Sequence, residues 1–145
     1  MKSLITLIAA LVFSLLSSFA FSAEKPSPLK FVEVESIIDH YIEATTNGHT
    51  AYLNDLFTSD FKFTTPSNLN SKPVNKQAMV SYLKSLEAIK MTCDTDYSIV
   101  EKNKDSSIIK LTANYGDFER IDYITICHSD LGWKISNVMV TYPEK

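Results

Sequence analysis

From Tyr97 to Tyr142 the chain alternates apolar and polar residues, broken only at Asn103-Lys-Asp105, Gly116-Asp117 and Asp130-Leu-Gly132. Period two over such lengths demands strands, and short breaks rich in Gly, Asn and Asp demand that successive strands pair as antiparallel hairpins. The pattern predicts strands over about 96–102, 106–115, 118–129 and 133–142. Tight turns also set the register, which places Tyr115 opposite Phe118 and His128 opposite Trp133. One face then collects Tyr97, Ile109, Leu111, Tyr115, Phe118, Arg120, Asp122, Ile124, Ile126, Trp133, Ile135, Asn137 and Met139. The other carries Lys110, Thr112, Tyr123, Thr125, Lys134 and Ser136. Arg120 and Asp122 therefore lie on an otherwise apolar face, where burying a charge is costly unless it is paired. Such a pair belongs at the lining or rim of a pocket.

The first half of the chain is helical in pattern. Phe31, Val34, Ile37, Ile38, Tyr41 and Ile42 recur at spacings of three and four, one apolar stripe along a helix, and Asn47-Gly48 supplies a left-handed stop. Thr50 is placed to cap a short second helix with Leu53, Leu56 and Phe57 inward. Phe61 to Thr65 alternates as a first strand closed by Pro66, and residues 67 to 74 read as loop beside the pocket mouth. Asn75 can cap a third helix with Ala78, Met79, Tyr82, Leu83 and Leu86 on one face. The expected architecture is α+β and cone-shaped, three N-terminal helices packed in a curved antiparallel sheet.

Residues 1–22 are expected to be a secretory signal peptide. Lys2 begins it, an apolar run from Leu4 to Phe21 continues it, and Ala20-Phe21-Ser22 offers the small residues read at a cleavage site before Ala23. A retained anchor is the competing reading, because the run approaches the ~20 residues needed to span a bilayer. Cleavage is expected, with no stable membrane anchor and a periplasmic or secreted product. Residues 23–30 read as a flexible leader containing two prolines, and residues 31–145 as one domain. A formal net charge of −3 without a basic patch argues against nucleic acid as partner.

Arg120 is the only arginine, permanently charged and two residues from Asp122 on the same strand face. It would make Asp122 an ion-pair acceptor. Arg120, Asp122, Tyr41 and Asn137 are the candidates for the polar end of a pocket, with Tyr97, Tyr115, Phe118 and Trp133 as aromatic lining. The three histidines, His40, His49 and His128, are scattered without metal-ligand spacing, so no metal and no cofactor is expected, and His40 is expected to face solvent. Three glycines leave no phosphate-binding loop. Two cysteines in an exported protein suggest a disulfide, yet the register puts Cys127 opposite Ser106, about a strand length from Cys93. Bridging requires Cα atoms within about 7 Å, so two unpaired thiols are expected.

Ile38-Asp-His-Tyr-Ile-Glu43 leading to Asn47-Gly48, Leu56-Phe57, Asp122-Tyr123, and Gly132-Trp-Lys-Ile135 followed by Asn137 resemble the nuclear-transport-factor-2-like superfamily, closest to its bacterial putative lumazine-binding family. The resemblance spans nearly all of residues 31–145 and implies a cone that takes small molecules, with dimerisation through the open sheet face. Ketosteroid isomerases share the fold, and on that comparison Tyr41 matches an oxyanion tyrosine and Asp122 a hydrogen-bond-donating aspartate. The base, however, falls on Thr65, which cannot remove a carbon-bound proton at neutral pH. The leading expectation is a non-enzymatic binder of a small apolar or aromatic molecule, either a monomer or a homodimer. An isomerase or hydrolyase using Asp122 with Tyr41 is the first alternative, and an interaction module with a cone filled by its own side chains is the second.

Overall fold

The computed structural model describes residues 31–66 and 71–144. The signal peptide and the leader lie outside them, as do residues 67–70 of the expected loop. The chain forms helix α1 (Val34–Thr46), a one-turn helix α2 (Leu53–Leu56), strands β1 (Phe57–Thr64) and β2 (Val74–Asn75), helix α3 (Lys76–Ser85), and strands β3 (Asp94–Lys102), β4 (Ser106–Asn114), β5 (Glu119–Ser129) and β6 (Gly132–Thr141).

Helix α1 buries Val34, Ile37, Ile38 and Tyr41 of the predicted stripe together with Ala44, while Ile42, expected in the stripe, is only partly buried. Phe31 precedes the helix and forms an isolated bridge with Trp133. The helix ends where Gly48 takes φ +66°; a Cβ there would also come within 2.5 Å of the Leu86 carbonyl oxygen, so glycine is required twice over. Thr50 is not the cap of α2: its hydroxyl donates to Glu87 Oε1 at 2.8 Å. The C-terminal carbonyls of α2 are held instead by two ammonium groups, Lys76 on Asn54 (2.7 Å) and Lys134 on Asp55 (2.7 Å). Asn75 caps α3 as expected, accepting from the Ala78 amide at 3.0 Å. That helix buries Met79, Val80 and Leu83, while Ala78 and Tyr82, expected inward, are exposed.

The sheet is six-stranded and mixed, ordered β2-β1-β6-β5-β4-β3. The hairpin strands fall within two residues of their predicted limits. The expectation of a purely antiparallel sheet fails at β1, which starts at Phe57 and runs parallel to β6. No tight turn joins β1 to its neighbour, so no local geometry imposes its direction. The core lies between α1, α2, α3 and one sheet face, filled by Phe57, Phe61, Ile109, Ile124, Ile126 and Ile135 among others.

One register shift changes which side chains face the core. Thr125 pairs with Asn137, yet Ile126 pairs with Ile135, so Ser136 is an extra residue on β6. Past it the alternation inverts: Ile135 is buried, and then Val138 and Val140 are buried rather than Asn137 and Met139. Ser136 Oγ stitches the irregularity by donating to the Thr125 carbonyl at 3.2 Å. Cys127 lies opposite Ser106 as expected, and both Cys127 and Cys93 are free thiols.

Candidate functional site

Strand β5 crosses the middle of the sheet between β4 and β6, and its alternation puts Arg120 and Asp122 on the face that α1 covers. Tyr41 sits on the buried stripe of α1 directly above. The Tyr41 hydroxyl donates to Asp122 Oδ2 at 2.8 Å. Arg120 donates through Nε to Oδ1 at 2.7 Å and through Nη2 to Oδ2 at 2.8 Å, a bidentate fork. Asp122 is 3 % exposed and Tyr41 is wholly buried. A carboxylate that accepts three hydrogen bonds, two from a guanidinium, is a compensated buried charge.

Desolvation pushes the Tyr41 phenol well above its ordinary pKa, and the neighbouring Asp122 charge pushes it further in the same direction. For Arg120, burial works against the charge, but the facing Tyr41 and Asp122 groups outweigh it and hold the pKa above its ordinary value. Both side chains are thus fixed in one protonation state across physiological pH, the phenol neutral and the guanidinium charged.

Beyond Arg120 the interior opens into a cleft of about 370 Å³. Val74, Met79, Leu83, Leu86 and Met91 form aliphatic and thioether walls, Phe63, Tyr82 and Tyr142 aromatic ones, and Thr45 and Arg120 complete the lining. A larger depression of about 670 Å³ around Asn47–Ala51 and Glu87–Lys90 is a surface feature away from the paired charges. The cleft is instead contiguous with the one buried ion pair among the described residues, so the chemistry belongs there.

The structure brings Tyr41, Arg120 and Asp122 together, as the sequence predicts, but only Arg120 of the three lines the cleft. Tyr115 stands behind it, its hydroxyl 3.8 Å from the Met91 sulfur. Phe118 stacks on Tyr115 with ring centroids 4.6 Å apart and lies 6.2 Å from Tyr142, an aromatic group beside the mouth. None of the four aromatic residues expected as lining is among the cleft walls. Trp133 packs at the far end of the sheet against His128 and Phe31, and Tyr97 packs on the core from edge strand β3. Asn137 is turned away by the Ser136 shift. His40 does not face solvent freely but is sandwiched between Phe31 (5.3 Å) and Tyr52 (5.1 Å). Thr65, at the isomerase base position, lies in a neighbouring depression with Pro66 and Met139, outside the cleft.

Sequence reasoning missed every cleft wall except Arg120. Met79, Tyr82, Leu83 and Leu86 carried a signal, since all belong to the predicted apolar face of the third helix, and Val74 ends the loop expected beside the pocket mouth. Thr45, Phe63, Met91 and Tyr142 carried none, because they become lining only through the docking of separate elements.

The arrangement of helices against a six-stranded mixed sheet is that of a nuclear-transport-factor-2-like protein. Solved structures with this fold include NTF2-like proteins of unknown function from Silicibacter pomeroyi (13% identity, TM-score 0.60, covering 75% of this chain and 92% of that one) and from Methylobacillus flagellatus (14%, 0.58, 81% and 100%). Another, from Rhodospirillum rubrum, is described as an NTF2-like protein of unknown function in nutrient uptake (14%, 0.60, 77% and 99%). At these identities the likeness concerns the fold alone. Residues 30–140 match the family model described as "Putative lumazine-binding", and the chain belongs to that family. No functionally curated protein matches it.

Proposed function

We propose that this is an exported, non-enzymatic binding protein that takes a small apolar or aromatic molecule into the open end of a cone. The observation that carries the reading is the Arg120 guanidinium, clamped by Asp122 at the inner end of a cleft whose other walls are almost wholly apolar. Few, well-placed polar groups in a mostly apolar concavity are what fix a ligand's orientation, and about 370 Å³ lies within the ~300–1,000 Å³ range of ligand pockets. The family's name points the same way, towards small-molecule ligands. A periplasmic binder also accords with the nutrient-uptake description of the Rhodospirillum rubrum neighbour.

Turnover has less support. The Tyr41 hydroxyl donates its hydrogen bond to Asp122, whose oxygens act as acceptors, so the two do not form a pair of donors aimed at an oxyanion. The base position is a threonine outside the cleft. The filled-cone alternative gains from the bulk of Phe57, Ile124 and Ile135, all fully buried, but that bulk stops short of Arg120.

Native mass spectrometry of protein purified from the periplasm without reducing agent tests the reading. The expected result is the mass of a chain beginning at Ala23 with a small additional mass that collisional activation releases. A clean apo mass at every activation energy, with no uptake from a periplasmic extract, would overturn it. The same spectrum separates a monomer from a homodimer.

A further inference from the structure

Arg120 has five N–H donors in one plane. Asp122 takes the Nε–H and one N–H of Nη2, the side-on edge of the guanidinium. The two bonds to Asp122 are the only well-formed hydrogen bonds of the guanidinium among the described residues; the Tyr41 hydroxyl also lies close enough to interact with it, so the unengaged donors are on the Nη1 side. They are not sealed away either: the one buried side-chain polar atom without a partner among those residues is Thr58 Oγ1. Arg120 keeps 21% of its side chain accessible and lines the cleft, and with its side-on edge taken by Asp122 the end-on edge is the one left for a ligand there to engage. The guanidinium cannot turn to offer a different edge, because the Asp122 fork holds it.

The rest of the lining decides what can meet that edge. Arg120 is the only charged residue in it, and no carboxylate competes for the guanidinium from inside the cleft. A neutral carbonyl offers the two N–H groups a single shared oxygen and no charge to set against the guanidinium among thioether and aromatic walls. Two oxygens about as far apart as the Nη1 and Nη2 hydrogens satisfy both. That is the geometry of a carboxylate, and a guanidinium gripped by one carboxylate on its side edge can take a second end-on. Asp122 also hands part of its negative charge to the Tyr41 hydroxyl, which lessens repulsion between the two carboxylates.

We propose that the ligand of this cleft is a carboxylic acid with an apolar body, its carboxylate held by the outward Nη1/Nη2 edge of Arg120 and its body packed against Met79, Leu83, Met91 and Phe63. The proposal rests on the binding reading above and narrows it. The apolar body comes from either of two chemistries, an aliphatic chain suited to the methionines or an aryl ring suited to Phe63 and Tyr142.

Isothermal titration calorimetry of the full protein at pH 7 and low salt tests both. The probes are octanoate, decanoate, 1-naphthoate and phenylacetate, each beside its own primary amide. At least one acid is expected to bind with one-to-one stoichiometry and at least tenfold more tightly than its amide, and the identity of that acid assigns the body. In Arg120→Lys, which keeps the charge beside Asp122 but loses the fork, the acid's advantage is expected to fall several-fold. The acid–amide comparison on the unaltered protein stands even where that variant fails to fold. Acid and amide binding equally would overturn the carboxylate while leaving the binding reading intact. No probe binding at all would overturn both.

Discussion

Tyr41 has its one proton committed. Its hydroxyl donates to Asp122 from a position with no exposure at all, and burial and the Asp122 charge together raise its pKa. A pKa raised in the folded state means that the neutral phenol stabilises the fold. That contribution is complete below the unfolded tyrosine value of about 10 and is lost as pH climbs above it, at up to ~1.4 kcal/mol per pH unit. Tyr41→Phe removes one of three donors to a buried carboxylate and should cost about 1–3 kcal/mol at pH 8. The gap between wild type and Tyr41→Phe should then narrow as pH rises from 10 to 11, because the variant no longer has that proton to lose. Tyr97 and Tyr115, also raised by burial, remain in both proteins, so a common alkaline decline persists. Urea denaturation at a series of alkaline pH values measures this. A gap that stays constant would show that Tyr41 titrates alike folded and unfolded. At this level much of the sequence was legible. Arg120 and Asp122 share a face by strand alternation and Tyr41 sits on a clear apolar stripe, but periodicity did not join Tyr41 to Asp122, 81 residues away; only the resemblance to ketosteroid isomerases did.

The elements were legible wherever a local device defines them. Gly48 and Asn75 end and begin their helices as the sequence demands, and the three hairpin turns gave strands with the right partners and nearly the right limits. Asn75→Ala should therefore cost about 1 kcal/mol, with helix α3 fraying first, as amide exchange at Ala78 and Met79 would register. Unchanged exchange there would mean that packing alone holds the first turn. Two things were misread. The parallel pairing of β1 with β6 arises through a long connection, and nothing local encodes it. The face of β6 beyond Ile135 was misassigned although a signal was present: Trp133, Ile135, Val138 and Val140 are spaced two, three and two, and the step of three marks the extra residue at Ser136. Strict alternation carried Asn137 and Met139 to the wrong face. Of the four side chains expected at the polar end, Asn137 is lost to this shift and Tyr41 and Asp122 lie behind the lining, so Arg120 alone reaches the cleft.

For the molecule as a whole, the fold divides its interior in two. Around Phe57, Phe61, Ile124 and Ile135 the space between helices and sheet is closed by large, fully buried side chains, which supplies the stability of a chain this size. Towards Tyr142 it is left open, bounded by α3, the end of α1 and the residues around Met91. Those walls come from separate segments, so their meeting is a property of tertiary packing and could not be read from any one window of sequence. The Tyr41–Asp122–Arg120 network stands at the boundary between the closed and open parts. It anchors the helix layer to the sheet on one side and presents a fixed guanidinium edge on the other. On this account a bound molecule touches the open part alone. Titrating isotopically labelled protein with the tightest-binding carboxylic acid and following its amide, methyl and arginine side-chain signals by NMR would settle whether that is so. The account predicts saturable shifts concentrated at the methyls of Met79, Leu83, Leu86 and Met91 and at the Arg120 guanidinium, with Trp133 and the outer face of Thr112, Tyr123 and Lys134 unmoved. Shifts centred on that outer face, or on the depression from Asn47 to Ala51, with Arg120 silent, would contradict it.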